Sequence, residues 1–153
     1  MKAELMLELA SVPNIAGIKD SAGDWFEDQM ILLRQRPPGF AVFQGNQVYA
    51  GVSLLAGADG LVPGHANIWP DLLVGMYDAA LRKEVATVWA AQARLNELMT
   101  LRARAPIHTL KVIAQGLGLM GDTIATPLPR LSVDETGKCI AAHVAIGVPL
   151  AGC

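Results

Sequence analysis

Lys19 is the residue of this 153-residue sequence best placed for covalent chemistry. It closes a short apolar run, Asn14 to Lys19 (NIAGIK), with no other charge inside it. A run too brief for a helix and lacking polar alternation reads as a strand buried on both faces. In α/β proteins, sites collect at the C-terminal ends of parallel strands. An amine there, over an apolar floor of Ile15 and Ile18, is disfavoured in its charged form. A neutral amine is the nucleophile that captures a carbonyl as a Schiff base. A solvated strand-end lysine paired with Asp20 is the competing reading of the same position.

Two other strand ends carry residues of interest. Gly45 and Asn46 follow the run Phe40 to Phe43, and Gly64, His65 and Asn67 follow Asp59 to Val62. Glycines at such turns let a ligand approach the backbone, although ordinary turn chemistry uses the same residues. His65 has the right chemistry for a proton shuttle, but a lone loop histidine is expected at the surface. His108 and His143 fall on expected helices and read as structural or exposed. Trp25, Trp69 and Trp89 read as packing residues. Cys139 and Cys153 form no CxxC pair and have no histidine pair at zinc spacing, so neither a metal site nor a disulfide framework is expected. Phosphate-loop, zinc-protease and serine-hydrolase motifs are absent.

The elements that must position these residues recur in a regular cycle. A first helix over residues 1–10 places Leu5, Met6 and Leu9 on one face, and Ser11 to Pro13 ends it. After the lysine strand, Asp24 with Glu27 makes a capping-box-like start to a helix reaching about Arg36. The strand Phe40 to Phe43 leads to a helix from Gln47 to Ala56, with Gly57 as its C-terminal cap. The strand Asp59 to Val62 leads to a loop in which Asn67 is the expected cap. Pro70 then opens a helix to about Leu81. Three strand–loop–helix units in succession indicate an α/β protein with a parallel sheet.

Beyond residue 81 the alternation stops. A long helix from Val85 to Ala105 carries Val88, Ala91, Leu95 and Leu98 in one stripe. Another runs from Pro106 to about Leu117. Ser132 with Glu135 is a capping box for a last helix reaching about Ile146. The expected division is residues 1–81 as β/α units and 82–153 as a helical region. Three strands cannot close a barrel of eight, so the sheet is either small and open or the last part of a barrel.

The segment Pro13 to Asp24 (PNIAGIKDSAGD) resembles a signature of the dihydrodipicolinate synthase / N-acetylneuraminate lyase family of class I Schiff-base aldolases. Phe43-Gln44-Gly45-Asn46 is similar to that family's next strand end. Leu54 to Gly60 (LLAGADG), followed by Ala66-Asn67 and Pro70, is similar to a third segment. Leu110-Lys111 and Thr126 to Ser132 resemble its C-terminal helical region. The resemblance covers nearly the whole chain in order, and it implies a partial (β/α)8 barrel, strands six to eight, followed by C-terminal helices. It makes Lys19 the Schiff-base lysine for pyruvate or a related 2-oxo acid and places Gly45, Asn46, Gln47 and Val62 at the substrate. It implies no cofactor. Gln47 and Val48 stand where sialic-acid-cleaving members carry an acidic pair, which argues against that substrate.

The resemblance also implies features that lie outside the chain: a proton-relaying tyrosine on strand five, which neither Tyr49 nor Tyr77 matches, and an early Thr/Ser carboxylate-binding pair. A single chain is therefore expected to be impaired, with an open apolar edge on its first strand. The expected partners are copies of itself or a complementing N-terminal half. The alternative is a non-catalytic, truncated family member acting as a binding or assembly module.

Composition narrows the remaining classes. The chain is 52% hydrophobic and 17% charged, with a formal net charge of -2. A disordered chain has few apolar residues, and a nucleic-acid binder carries a basic stripe. No apolar run reaches the ~18 residues of a membrane span. The acidic residues Glu4 and Glu8 argue against a signal peptide. A cytoplasmic location is expected.

Overall fold

The computed structural model describes residues 1–23, 26–101, 105–148 and 150. Three short parallel strands, β1 (Gly17–Asp20), β2 (Ala41–Gln44) and β3 (Gly60–Leu61), form one sheet in that order. Their register pairs Lys19 with Phe43, and Phe43 with Gly60. The ladder runs past the strands, because Gly45 N–H donates to Asp20 O and Val62 N–H to Gln44 O.

Helices alternate with the strands. α1 (Ala3–Ala10) and α2 (Phe26–Gln35) flank β1, α3 (Ala50–Leu55) follows β2, and α4 (Pro70–Leu81) follows β3. Then come α5 (Val85–Thr100), α6 (Pro106–Gly116) and α7 (Val133–Ala145). Among the described residues, no helix is long and apolar enough to cross a membrane. The alternating order expected from sequence is present, with a parallel three-stranded sheet.

Local chemistry explains most boundaries. Gly57, at φ 101°, ends α3 in the left-handed conformation that a side chain would strain. The Ser132–Glu135 capping box forms at α7: Glu135 N–H donates to Ser132 Oγ (3.2 Å), and Ser132 N–H to Glu135 Oε2 (2.7 Å). Several expectations need correction. The lysine strand begins at Gly17 rather than Asn14, because Asn14 turns the chain at φ 73°. The expected helix from Gln47 opens as a 3₁₀ turn, Gln47–Tyr49, capped by the Asn46 side chain, which accepts from Val48 N–H. Asn67 does not cap α4. Its amide donates back to Gly64 O, and Trp69 holds the cap position. On α1 the buried face is Ala3 and Met6 rather than Leu5, which is exposed. Asp24 and Trp25 lie outside the described residues. α5 ends at Thr100 rather than at the expected Ala105, which instead holds the cap position of α6.

Three cores hold the elements. Ala3, Met6, Leu32, Phe40 and Val42 join α1 and α2 to one face of the sheet, with Ile18 packed against them. Ala50, Leu54, Leu73, Met76, Val88 and Leu95 join α3, α4 and α5. Ile68, Val112, Ile113 and Cys139 join α6 and α7 to the segment after β3. Complete burial of one such aliphatic side chain contributes about 1.5–3 kcal/mol.

Candidate functional site

Side chains alternate across a strand, and this parity divides the sheet residues. Ile18 and Val42 face the helices. Lys19 and Phe43 therefore face the other way, Lys19 exposed and Phe43 half-buried. Lys19 is exposed, which corrects the sequence expectation of a sheltered amine. The apolar floor is missing for two reasons: Ile15 is exposed ahead of the strand, and Ile18 belongs to the opposite face. β1 is likewise not buried on both faces, since Lys19 is exposed on one of them. Asp20 does not pair with Lys19. It is buried and accepts from Ala22 N–H at 3.0 Å.

The Lys19 side chain bends across the end of β2. A Cβ placed on Gly45 would collide with both Lys19 Cε and Ser21 Oγ, and would sit 3.2 Å from Lys19 Cγ. The amine-bearing carbon, the Ser21 hydroxyl and the bare Gly45 backbone thus meet at one point at the C-terminal ends of β1 and β2. Ser21 was not singled out by sequence reasoning. Its place in the PNIAGIKDSAGD segment was the available signal.

Beneath this point the end of β2 is fixed by buried amides. Gln44 Nε2 donates to Gln29 Oε1 and to Ser53 Oγ, both at 2.9 Å. Gln44 Oε1 accepts from Asn46 N–H at 2.6 Å. The loop after β1 is tied to the next unit as well. Tyr49 Oη donates to Gly23 O at 2.7 Å, and the Tyr49 ring stacks on Phe26 at 4.6 Å. The amide network is satisfied except at the buried Gln29 Nε2, which has no partner among the described residues.

The other sequence-derived residues divide into near and far. Gly45 and Asn46 adjoin Lys19. The Asn46 side chain is committed to its cap but lies 3.6 Å from where a Cβ on Gly23 would be. Gln47 starts the 3₁₀ turn, and its carbonyl accepts from Gln92 Nε2 of α5 at 3.0 Å. Val62, 46% exposed, extends the third strand. Between β2 and β3, the Phe43 ring lies against Gly60, where a Cβ would approach it to 3.0 Å.

His65 corrects its expectation: it is 2% exposed rather than at the surface. It stacks on Trp69 at 5.5 Å, and Trp69 stacks on His143 of α7 at 6.0 Å. His108 and His143 are both buried in structural roles. His108 Nδ1 accepts from Leu131 N–H at 2.7 Å, which leaves the proton on Nε2, 3.6 Å from Asp122. His143 Nδ1 donates to Cys139 O at 2.7 Å. Burial pushes the His143 pKa down, against a smaller opposing effect of that carbonyl, and burial pushes the Cys139 thiol up. Trp89 is half-exposed on α5 and is not the packing residue expected. Cys153 lies outside the described residues.

Three parallel β/α units in succession define part of an α/β barrel. The family comparisons are specific. Residues 1–144 match the model of the Dihydrodipicolinate synthetase family. The chain is 38% identical over 135 residues to a 4-hydroxy-tetrahydrodipicolinate synthase of Cellvibrio japonicus, covering 86% of this chain and 46% of that relative. It is 37% identical to the corresponding enzyme of Nitrosospira multiformis, covering 84% and 43%. A dihydrodipicolinate synthase of Bacteroides thetaiotaomicron superposes with a TM-score of 0.84 at 25% identity, over 95% of this chain and 51% of that one. The Acinetobacter baumannii enzyme, crystallised in complex with pyruvate, superposes at 0.82 with 26% identity, over 96% and 50%.

The chain belongs to the dihydrodipicolinate synthetase family. It spans about half the length of the curated relatives it matches.

Proposed function

We propose that this chain contributes the lysine-bearing part of a Schiff-base lyase acting on pyruvate or a related 2-oxo acid. One observation carries the reading: the Lys19 side chain lies at the C-terminal rim, on the open face, across Gly45. In this reading the uncharged amine adds to the keto carbon, and the adduct takes up a proton and loses water to give a protonated imine. That imine withdraws electrons from the neighbouring carbon, which can then lose a proton or break a carbon–carbon bond. Gly45, Asn46, Gln47 and Val62 border the bound acid. The structure of a family member in complex with pyruvate supports the choice of substrate.

The proton relay and the carboxylate clamp are assigned to strands other than these three. General acid–base assistance contributes roughly 100- to 10,000-fold, so turnover by this chain alone is low, while imine formation persists. Residues 1–81 act as the barrel part and 82–153 as the helical region. A complementing N-terminal half or further copies of the chain complete the site, in the cytoplasm, without nucleic acid. The unpaired edge of β1 and the uncovered face of the sheet support this partner, and they equally suit a non-catalytic assembly module.

Borohydride trapping in the presence of pyruvate separates the two. The expected result is a covalent adduct located on Lys19 by peptide mass spectrometry and lost in Lys19→Ala. Folded chain that yields no adduct, alone or mixed with the N-terminal half of the Cellvibrio japonicus relative, overturns the lyase reading in favour of the module.

A further inference from the structure

We propose that Ser21 and the bare backbone of Gly45 are positioning residues for the Lys19 amine. They form a slot that lays the lysine side chain across the end of β2 and aims its nitrogen over the open face. What the amine does there rests on the Schiff-base reading above. Where the amine is held does not.

The glycine is required here for space and not for backbone conformation. Gly45 is not among the positive-φ glycines, so a side chain could be accommodated by the backbone. It is excluded only by Lys19 and Ser21 lying over the Cα. Both walls of the slot are anchored from outside it. Gly45 N–H donates to Asp20 O at 2.7 Å, and its neighbours Gln44 and Asn46 are locked to each other and to the buried Gln29–Ser53 pair. Ser21 is held by the turn that Ala22 N–H makes with Asp20 Oδ1, and its loop is pinned by the Tyr49–Gly23 hydrogen bond.

Lys19 is otherwise exposed, and an exposed lysine samples many rotamers. The slot removes that freedom before any substrate arrives. The Ser21 hydroxyl can accept from an ammonium or donate to a neutral amine, so it serves the lysine in either state.

The test reads Lys19 in two ways on the intact chain. Acetic anhydride labelling of Lys19 is measured relative to the exposed Lys83, and pyruvate–borohydride trapping is measured in parallel. Gly45→Ala is expected to raise relative labelling as the amine swings into solvent, and to slow trapping by the ~100-fold that a misplacement of about 1 Å can cost. Ser21→Ala moves both in the same directions by less, and Ser21→Thr, which keeps the hydroxyl, restores them. Gly75→Ala, where nothing lies within 4 Å, changes neither. If Gly45→Ala fails to fold, the Ser21→Ala and Ser21→Thr pair decides. Unchanged labelling and trapping in the Ser21 variants, or failure of Ser21→Thr to restore what Ser21→Ala loses, overturns the slot. Absence of trapping in the unsubstituted chain defeats the Schiff-base reading, and the labelling ratios then judge the slot by themselves.

Discussion

On one face of the sheet Ile18, Val42 and Gln44 meet helices and buried amides; on the other stand the exposed Lys19, the half-buried Phe43 and the exposed Val62. The covered face is close-packed, and its residues are interchangeable only with others of similar volume. The open face holds a cation, small residues and one ring resting on Gly60. The two faces belong to the same few residues in strict alternation. Close packing is concentrated on one, and an exposed lysine stands on the other.

The contrast is broken most directly by truncation. Leu32→Ala, at a site with no exposure, is expected to cost about 2–5 kcal/mol. Val62→Ala on the open face should stay within about 0.5 kcal/mol. Both are read from urea midpoints, and equal costs would erase the distinction between the faces. Next in size is Gln44→Leu, which removes the bonds to Gln29, Ser53 and Asn46 while keeping bulk. It should cost about 1–3 kcal/mol, because partners remain buried without it.

Smaller effects appear against pH. Burial lowers the His143 pKa in the folded chain, so the unfolded chain binds the proton first. The contribution of neutral His143 is fully present above the unfolded value of about 6.5 and declines as pH falls below it, until the folded value is reached. The urea midpoint should therefore drop from pH 7 to pH 5 (roughly the flank of that titration), with a shallower drop in His143→Gln. The smallest effect belongs to Asp28. The Ala3 N–H, received at 2.9 Å, holds its carboxyl below the usual range against the opposing effect of burial, with Lys2 adding to the lowering. Its stabilisation is present above about pH 4 and lost as pH falls through the lower folded value. Asp28→Asn should flatten the acid limb of a stability–pH curve.

Much of the frame was legible because it is written locally. Gly57 must cap because its backbone is left-handed, and Ser132 with Glu135 satisfies the free N–H groups at the start of α7. The three strand segments show in short apolar runs between turns. What escaped depends on partners distant in sequence. The burial of His65 comes from a column through Trp69 to His143, and no local pattern announces a stack across two segments. The exposure of Lys19 comes from strand parity combined with the absence of a cover over one face, and an apolar run cannot say which of its faces is covered. A serine beside an aspartate reads as turn chemistry, and only the packing above Gly45, a contact across two loops, brings Ser21 to the lysine.

Gln92 of α5 offers Oε1 to Gly51 N–H and Nε2 to Gln47 O, so one side-chain amide stands in for a missing peptide group between the helix and the turn after β2. α5 is thereby tied to the turn after β2 by two hydrogen bonds from one side chain, beside the apolar core that α3 and α5 share. That turn begins two positions after Gly45, so the end of β2 is held in part from a helix far along the chain.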